Sequence, residues 1–449
     1  MSTAQTAVIV GLGRTGLSCA RYLHSHGITV AVTDSRENPP ELARLRELDA
    51  GITVRLGGLD AGLLDGAWCV VASPGVSLKE AFFAEARRRG LTIVGDIELF
   101  ARAADAPVVG ITGTNGKSTV TTLVGKMAER AGLNVRVGGN LGEPALDLLR
   151  AAQRDKTPTG LYVLELSSYQ LEATYSLDLK AAAVLNVTPD HLDRYATVAD
   201  YAAAKARIFA RCDTAVINLD DPLVAAMPQP GQRTLGFSLR AAIGADFCIV
   251  QRDAGQWWLA RRGEPLLAVS AIRIAGRHNV ANALAALALG EALGLPLTAM
   301  LAELASFTGL PHRSQWVAEV AGVSYIDDSK GTNVGATLAA VAGMQGPLIV
   351  IAGGDGKAQD FTPLREAFRG KVRHAVLIGR DAPAIADALA GVCAIERCAT
   401  LEEAVRSAAR LAHRGDTVLL SPACASFDMF RDYAHRGAVF AQAVRELAA

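Results

Sequence analysis

Short apolar runs rich in valine and isoleucine alternate with alanine-rich stretches of helical spacing almost from end to end of the chain. Uninterrupted apolar runs mark strands buried on both faces, and the helical stretches between them are the crossovers that parallel strands need. The pattern therefore predicts an α/β protein of mostly parallel sheets. The first unit reads as the strand Ala7 to Val10, a glycine turn, a helix through Tyr22, and a second strand Thr29 to Thr33 ending at Asp34. It is expected to be doubly wound. A second glycine-rich strand-to-helix junction spans Pro107 to Thr119, after a helical segment Ile97 to Ala104, which puts a domain boundary near Asp96. A third start follows Phe307-Thr308-Gly309-Leu310-Pro311, where a long alanine-rich helix gives way to loop residues and then to strands at Val317 to Ile326 and Leu348 to Ala352. The expected units are residues 1–96, 97–308 and 309–449.

Length supports that division, because 449 residues exceed what one continuous core normally serves. Charge argues against polyanionic partners: 45 Lys and Arg balance 45 Asp and Glu, so neither nucleic acid nor an acidic membrane is favoured, and a small-molecule substrate is expected. Seven cysteines without a CxxC pair or a Cys/His cluster read as reduced thiols in a cytoplasmic protein, not as a disulfide framework or zinc site. The N-terminal apolar run lacks a basic lead and breaks at glycine, and no stretch is long enough to span a bilayer.

Gly11-Leu12-Gly13-Arg14-Thr15-Gly16 follows a strand, opens a helix and has Asp34 at the end of the next strand, as a dinucleotide fingerprint should. A helix N-terminus aims amides and positive dipole at phosphate oxygens, so a bound diphosphate is expected. The motif alone leaves an NAD-linked oxidoreductase open. Thr112-Gly113-Thr114-Asn115-Gly116-Lys117-Ser118-Thr119 lies between the strand Val108 to Ile111 and a helix. Ile111 stands where a strict phosphate-binding loop has its first glycine, yet the working parts remain: amides to cradle phosphates, Lys117 for the β/γ oxygens, and Ser118 for Mg²⁺. ATP is the expected nucleotide.

These elements, followed by Glu165-Leu166-Ser167-Ser168-Tyr169-Gln170-Leu171 and Asn186-Val187-Thr188-Pro189-Asp190-His191-Leu192-Asp193, resemble the central domain of the Mur ligases. The resemblance covers essentially the whole chain. It implies three domains: Rossmann-like at the N-terminus, P-loop-ATPase-like with a mostly parallel sheet in the centre, and Rossmann-like again at the C-terminus. It further implies that Glu165, after the strand Tyr162 to Leu164, and His191, after the strand Ala182 to Val187, reach metal. Lys205, otherwise an ordinary helix-surface lysine within Asp200 to Phe209, matches the family's carbamylated lysine and with His191 would help position a second Mg²⁺. Asn279, read from the residues as a helix cap, and Asn282 would border adenine. Arg313 would meet ATP across a domain junction, Asp328 would hold ribose, and Lys330 would approach the transferred phosphate.

The resemblance gives the first domain a UDP-sugar, enclosed by Gly13, Arg14, Thr15, Asp34, Ser35, Arg36, Ser73 and Gly75, with Asn140 reaching in from the centre. Gly353-Gly354-Asp355-Gly356-Lys357 and Ser421 to Asp428 each follow a buried strand, where α/β sheets place ligands. With Asp328-Ser329-Lys330-Gly331-Thr332-Asn333 they resemble the family's D-glutamate-adding branch, which makes Thr332, Lys357, Ser426 and Tyr433 the expected acceptor contacts. The implied activity is ATP-dependent addition of D-glutamate to UDP-N-acetylmuramoyl-L-alanine through an acyl phosphate, in a chain expected to act as a monomer.

Overall fold

The computed structural model describes residues 6–447 apart from 156, 241–243, 253, 254, 275 and 345. Three sheets follow one another along the chain. The first has five parallel strands in the order Thr53–Leu56, Thr29–Asp34, Thr6–Val10, Ala67–Ala72, Thr92–Gly95. Strand order reverses beside Thr6–Val10, and such a switch point leaves a crevice at the carboxyl ends of the strands. The Gly11 turn and Ser73 lie there, with the Ser73 hydroxyl donating to the Gly11 carbonyl at 2.7 Å.

The second sheet has nine strands, and Val108–Thr112 runs between Leu161–Glu165 and Ala181–Val184. Its parallel register sets Ile111 against Glu165 and Thr112 against Val184. The phosphate loop, the acidic residue and the polar loop that begins at Leu185 are therefore neighbours before any side chain is considered. Beyond Phe247–Gln251 the sheet ends in the antiparallel strands Trp257–Arg261 and Glu264–Ala268. In the third sheet Val323–Asp327, Thr417–Leu420 and Leu348–Gly353 are adjacent and parallel. The three segments expected to hold the acceptor leave those strands side by side.

Several sequence expectations change in detail. Val317 to Ile326 is not one strand but an antiparallel hairpin of Gln315–Val320 and Val323–Asp327. Its two-residue turn puts both Ala321 and Gly322 at positive φ, and an alanine there gives little sign of the turn in the sequence. The strand Ala181–Val184 stops three residues short of the expected end. Asn279 does not cap its helix, which starts at Arg277 with Gly276 as the N-cap.

The two domain junctions differ in packing. One apolar cluster runs from Leu17 and Leu23 of the first unit through Phe100 to Leu149 and Tyr162 of the second. The third unit keeps clusters of its own, around Leu348, Val350 and Leu377 and around Val376, Leu420 and Phe440. Among the described residues no helix is long and apolar enough to cross a membrane.

Candidate active site

The phosphate loop is held by the strand beside it. Asn186 accepts the Thr114 amide on its carbonyl at 2.9 Å and the Asn115 amide on its side chain at 2.8 Å, and its own side-chain amide returns to the Asn115 carbonyl at 3.0 Å. Two amides expected to cradle phosphate are thus committed to shaping the loop, which leaves phosphate to the amides at the start of the helix Lys117–Arg130. Gly116 is at φ +85°, and a Cβ there would strike the Asn282 side-chain oxygen. Asn282, which thus sits against the loop, donates to Asn279 at 3.0 Å.

Positive charge is concentrated here, and among the described residues no carboxylate forms a salt bridge with Lys117, Lys205 or Arg313. Lys117 Nζ donates to the carbonyls of Gly113 and Thr114 at 2.9 and 2.8 Å. Lys205 Nζ, only 1 % exposed, donates to the same Gly113 carbonyl at 2.9 Å and lies 4.3 Å from the Tyr201 ring centre. Burial lowers both ammonium pKa values, that of Lys205 well below the usual range. Arg313, from the third unit, donates to the Ser118 hydroxyl at 2.6 Å, and that hydroxyl donates to Glu165. Glu165 also accepts from the Asn140 side chain at 2.7 Å. Asn140, expected on the UDP-sugar, thus orients the acidic residue while also lining the cleft that takes in Arg14, Asp34 and Ser73.

No group of three or more His, Cys, Asp or Glu side chains that could hold a metal occurs among the described residues. Ser118 and Glu165 are nevertheless a hard-oxygen pair suited to Mg²⁺, whose other ligands in such sites are phosphate oxygens and water. His191, at φ +55°, places Nδ1 2.7 Å from the Tyr169 hydroxyl, and its pKa is lowered by burial. Lys205 as an amine offers a donor and no metal ligand, so the expected His191–Lys205 pair does not by itself form a second metal site.

A cleft of about 260 Å³ lies between the second and third units and is lined by Asn115, Gly116, Asn282, Arg313, Asp328 and Lys330 among others, residues expected on the nucleotide. Burial raises the Asp328 pKa to about 7, against the pull of the Ser421 hydroxyl and the Ser314 amide. Lys330 rests 4.0 Å from the Tyr433 ring centre, and burial, then the nearby Arg313 charge, bring its pKa down to about 8.

A second cleft, about 570 Å³, takes in Gly13, Arg14, Thr15, Asp34, Ser35, Arg36, Ser73, Gly75 and Asn140. Asp34 does not present a bare carboxylate to it. Burial opposes its ionisation, yet the Arg36 side chain at 2.7 and 2.9 Å and the amides of Leu12 and Arg36 bring the pKa down to about 2. Gln170, not foreseen from sequence, also lines this cleft and donates to the buried Asp96 at 2.9 Å. Arg194 was likewise missed: it bonds to the Pro74 carbonyl at 2.8 Å and to Glu172 at 2.6 Å, tying the His191 loop to the first unit.

At the acceptor end, Asp355 and Ala425 form a backbone bridge between the Gly353 and Ser421 loops. Thr332 and Asn333 leave the neighbouring strand, and the Asn333 side chain reaches Asp190 of the central unit at 3.3 Å. Ser426 is buried, Lys357 is exposed with φ +49°, and Tyr433 is the first residue of the helix Tyr433–Glu446. A larger cavity, about 810 Å³, lies at Ala106, Leu179 and Gln232, away from all these groups.

Family models match almost the whole chain: "Mur ligase MurD-like, N-terminal domain" over residues 5–95, "Mur ligase middle domain" over 111–290 and "Mur ligase, glutamate ligase domain" over 312–424. A protein of Nitrosococcus oceani named UDP-N-acetylmuramoylalanine--D-glutamate ligase is 54% identical, the match covering 99% of this chain and 97% of that one. Its namesake in Methylococcus capsulatus is 51% identical over 98% and 95% of the two chains. Among solved structures, the UDP-N-acetylmuramate-alanine ligase of Thermotoga maritima superposes with a TM-score of 0.61 at 19% identity, covering 98% of this chain and 99% of the other, a likeness of fold. With the phosphate loop, the Ser118–Glu165 pair and the cross-domain arginine all in place, the chain belongs to the Mur ligase family.

Proposed function

We propose that this protein joins D-glutamate to UDP-N-acetylmuramoyl-L-alanine with conversion of ATP to ADP and phosphate, a step of peptidoglycan precursor synthesis. The observation that carries the reading is half-identity over nearly the full length of proteins bearing that activity in their name. Geometry supports it through Arg313, which crosses the cleft from the third unit to the Ser118 hydroxyl and so links the acceptor domain to the phosphate loop.

A carboxylate is a poor electrophile and its oxygen a poor leaving group; phosphorylation corrects both. The alanine carboxylate attacks the γ-phosphorus in line, ADP leaves, and the D-glutamate amine then displaces phosphate from the acyl phosphate. Lys117, released from the Gly113 and Thr114 carbonyls, and Lys330 take up charge on the transferred group. Ser118 and Glu165 would hold Mg²⁺, which supplies charge neutralisation on the phosphate oxygens. In this reading Arg14, Thr15, Asp34, Ser35, Arg36, Ser73 and Asn140 enclose the UDP-sugar, and Thr332, Lys357, Ser426 and Tyr433 the acceptor.

Lys205 belongs to the same proposal as a carbamate. Burial lowers the Lys205 pKa and so eases loss of the proton that an amine must give up to attack CO₂, and the product is an anion with two oxygens that could serve a second Mg²⁺ beside His191. A carbamate carbon resonance in protein equilibrated with ¹³C-bicarbonate supports this; its absence at saturating bicarbonate rejects it. The reading also takes the chain as a cytoplasmic monomer with boundaries at residues 96 and 308, its third unit closing about a hinge near Thr308. The test of the function is ADP release over a panel of UDP-muramoyl precursors and amino acids. Release that requires both UDP-N-acetylmuramoyl-L-alanine and D-glutamate is expected, and equal release with L-lysine, diaminopimelate or L-alanine overturns it.

A further inference from the structure

Among the described residues Arg436 is the largest with almost no exposure, 1 %. A buried guanidinium normally faces a carboxylate, because an unpaired charge in a protein interior is expensive. Here no carboxylate of the described residues forms an ion pair with it. Its donors go to backbone carbonyls and one hydroxyl: Nε to Ser329 Oγ at 3.0 Å, Nη2 to the carbonyls of Ser329 at 2.8 Å and Cys424 at 3.1 Å, and Nη1 to those of Ala425 at 3.4 Å and Gly353 at 3.5 Å. Burial lowers its pKa to about 10, which leaves it a cation at any working pH.

These acceptors belong to three separate loops. Ser329 lies between Asp328 and Lys330, Gly353 opens the loop that carries Lys357, and Cys424 and Ala425 precede Ser426. Each loop leaves a different strand of the third sheet, at neighbouring carboxyl ends. Nothing in the sheet register alone sets their mutual height once the strands stop. Pairwise ties exist, the Asp355–Ala425 bridge and the Ser421 hydroxyl on Asp328, and to these the planar fork adds one rigid group bonded to all three loops, so that moving any loop breaks a hydrogen bond to it. Ser329 extends the tie, because its hydroxyl also donates to the Tyr433 carbonyl at 2.8 Å, at the start of the helix that carries Arg436.

We infer that Arg436 is a positioning residue for the amino-acid acceptor, clamping the loops of Thr332, Lys357 and Ser426 into one binding surface without touching the acceptor itself. The inference rests on the proposal that these loops hold D-glutamate. Lysine at this position would keep the charge and lose the fork, so Arg436→Lys separates geometry from electrostatics. The expected result is a rise of about tenfold or more in the KM for D-glutamate, with the KM values for ATP and the UDP-sugar changed less than about twofold. Ser329→Ala, which removes only the hydroxyl partner, should raise the D-glutamate KM about threefold and keeps the inference testable if the lysine variant does not fold.

The measurement is steady-state ADP release with each substrate varied in turn, on protein whose melting is first shown to be cooperative. A D-glutamate KM unchanged in folded Arg436→Lys, or unchanged in Ser329→Ala should the former not fold, overturns the inference, as does an equal rise in all three KM values. Failure of the underlying reading looks different: wild-type protein would then release ADP without any dependence on D-glutamate.

Discussion

The protein contains two glycine-rich strand-to-helix turns of the kind that accept phosphate, and they handle buried charge in opposite ways. At Gly11 to Gly16 the buried charge is already matched, since Asp34 accepts the Leu12 amide and binds Arg36 in two places, and the other cation of the turn, Arg14, is exposed and donates to the Gly142 carbonyl. At Gly113 to Ser118 they are not: Lys117 and Lys205 are turned onto carbonyl oxygens and Arg313 onto a hydroxyl. The first turn is a finished surface on which a diphosphate can settle. In the second, buried cations wait for anionic oxygens, so nucleotide binding would repay desolvation that folding alone has left outstanding. That difference suits a site where charge develops during reaction over one that only grips.

The comparison can be broken most directly at Lys117. Lys117→Ala should fold and lose about 10²-fold or more in turnover, because one preorganised cation at the transferred phosphate is removed. Near-normal ADP release from the purified variant would mean that the second turn holds no reaction charge. At the first turn the vulnerable feature is packing. A Cβ on Gly16 would run into the Gly11 carbonyl oxygen, which is backbone and cannot swing aside. Gly16→Ala should therefore cost about 2 kcal/mol in urea unfolding, and a change under half of that would show the turn to be adaptable.

A smaller effect is expected at Gly116, whose φ of +85° and closeness to Asn282 disfavour any side chain. Gly116→Ala should raise the ATP KM about tenfold while leaving the UDP-sugar KM alone. An equal rise in both would blur the distinction between the turns. The smallest effect concerns Arg36. It holds the Asp34 pKa below its unfolded value, so the pair contributes stability that is present above about pH 4 and is lost as pH falls through about 2. Because Arg36 is half exposed, solvent screening limits the contribution, and Arg36→Ala should cost about 1 kcal/mol at pH 7. The gap between variant and wild type should narrow below about pH 4 and vanish only as pH falls through about 2 in denaturation curves. A gap that does not narrow over that range would assign the loss to packing instead of charge.

Much of this was legible in the chain because it depends on local spacing. Apolar runs and glycine turns located both phosphate turns, and the Ser118 and Glu165 pair follows from motif order plus parallel register, which sets Ile111 beside Glu165. The alternation of strands and helices likewise determined the α/β class and the three-part division, since buried strands and amphipathic crossovers leave distinct periodicities. Only tertiary structure decided which polar groups meet. Asn186 takes two amides that looked free for phosphate, Asn140 turns to Glu165, Arg194 ties two units together, and Arg436 gathers three loops. No periodicity encodes such pairings, because donor and acceptor lie from 12 to 120 residues apart and are brought together by sheet order. An arginine inside an ordinary helical pattern reads as solvated until the strands around it are assembled and leave it nowhere to go.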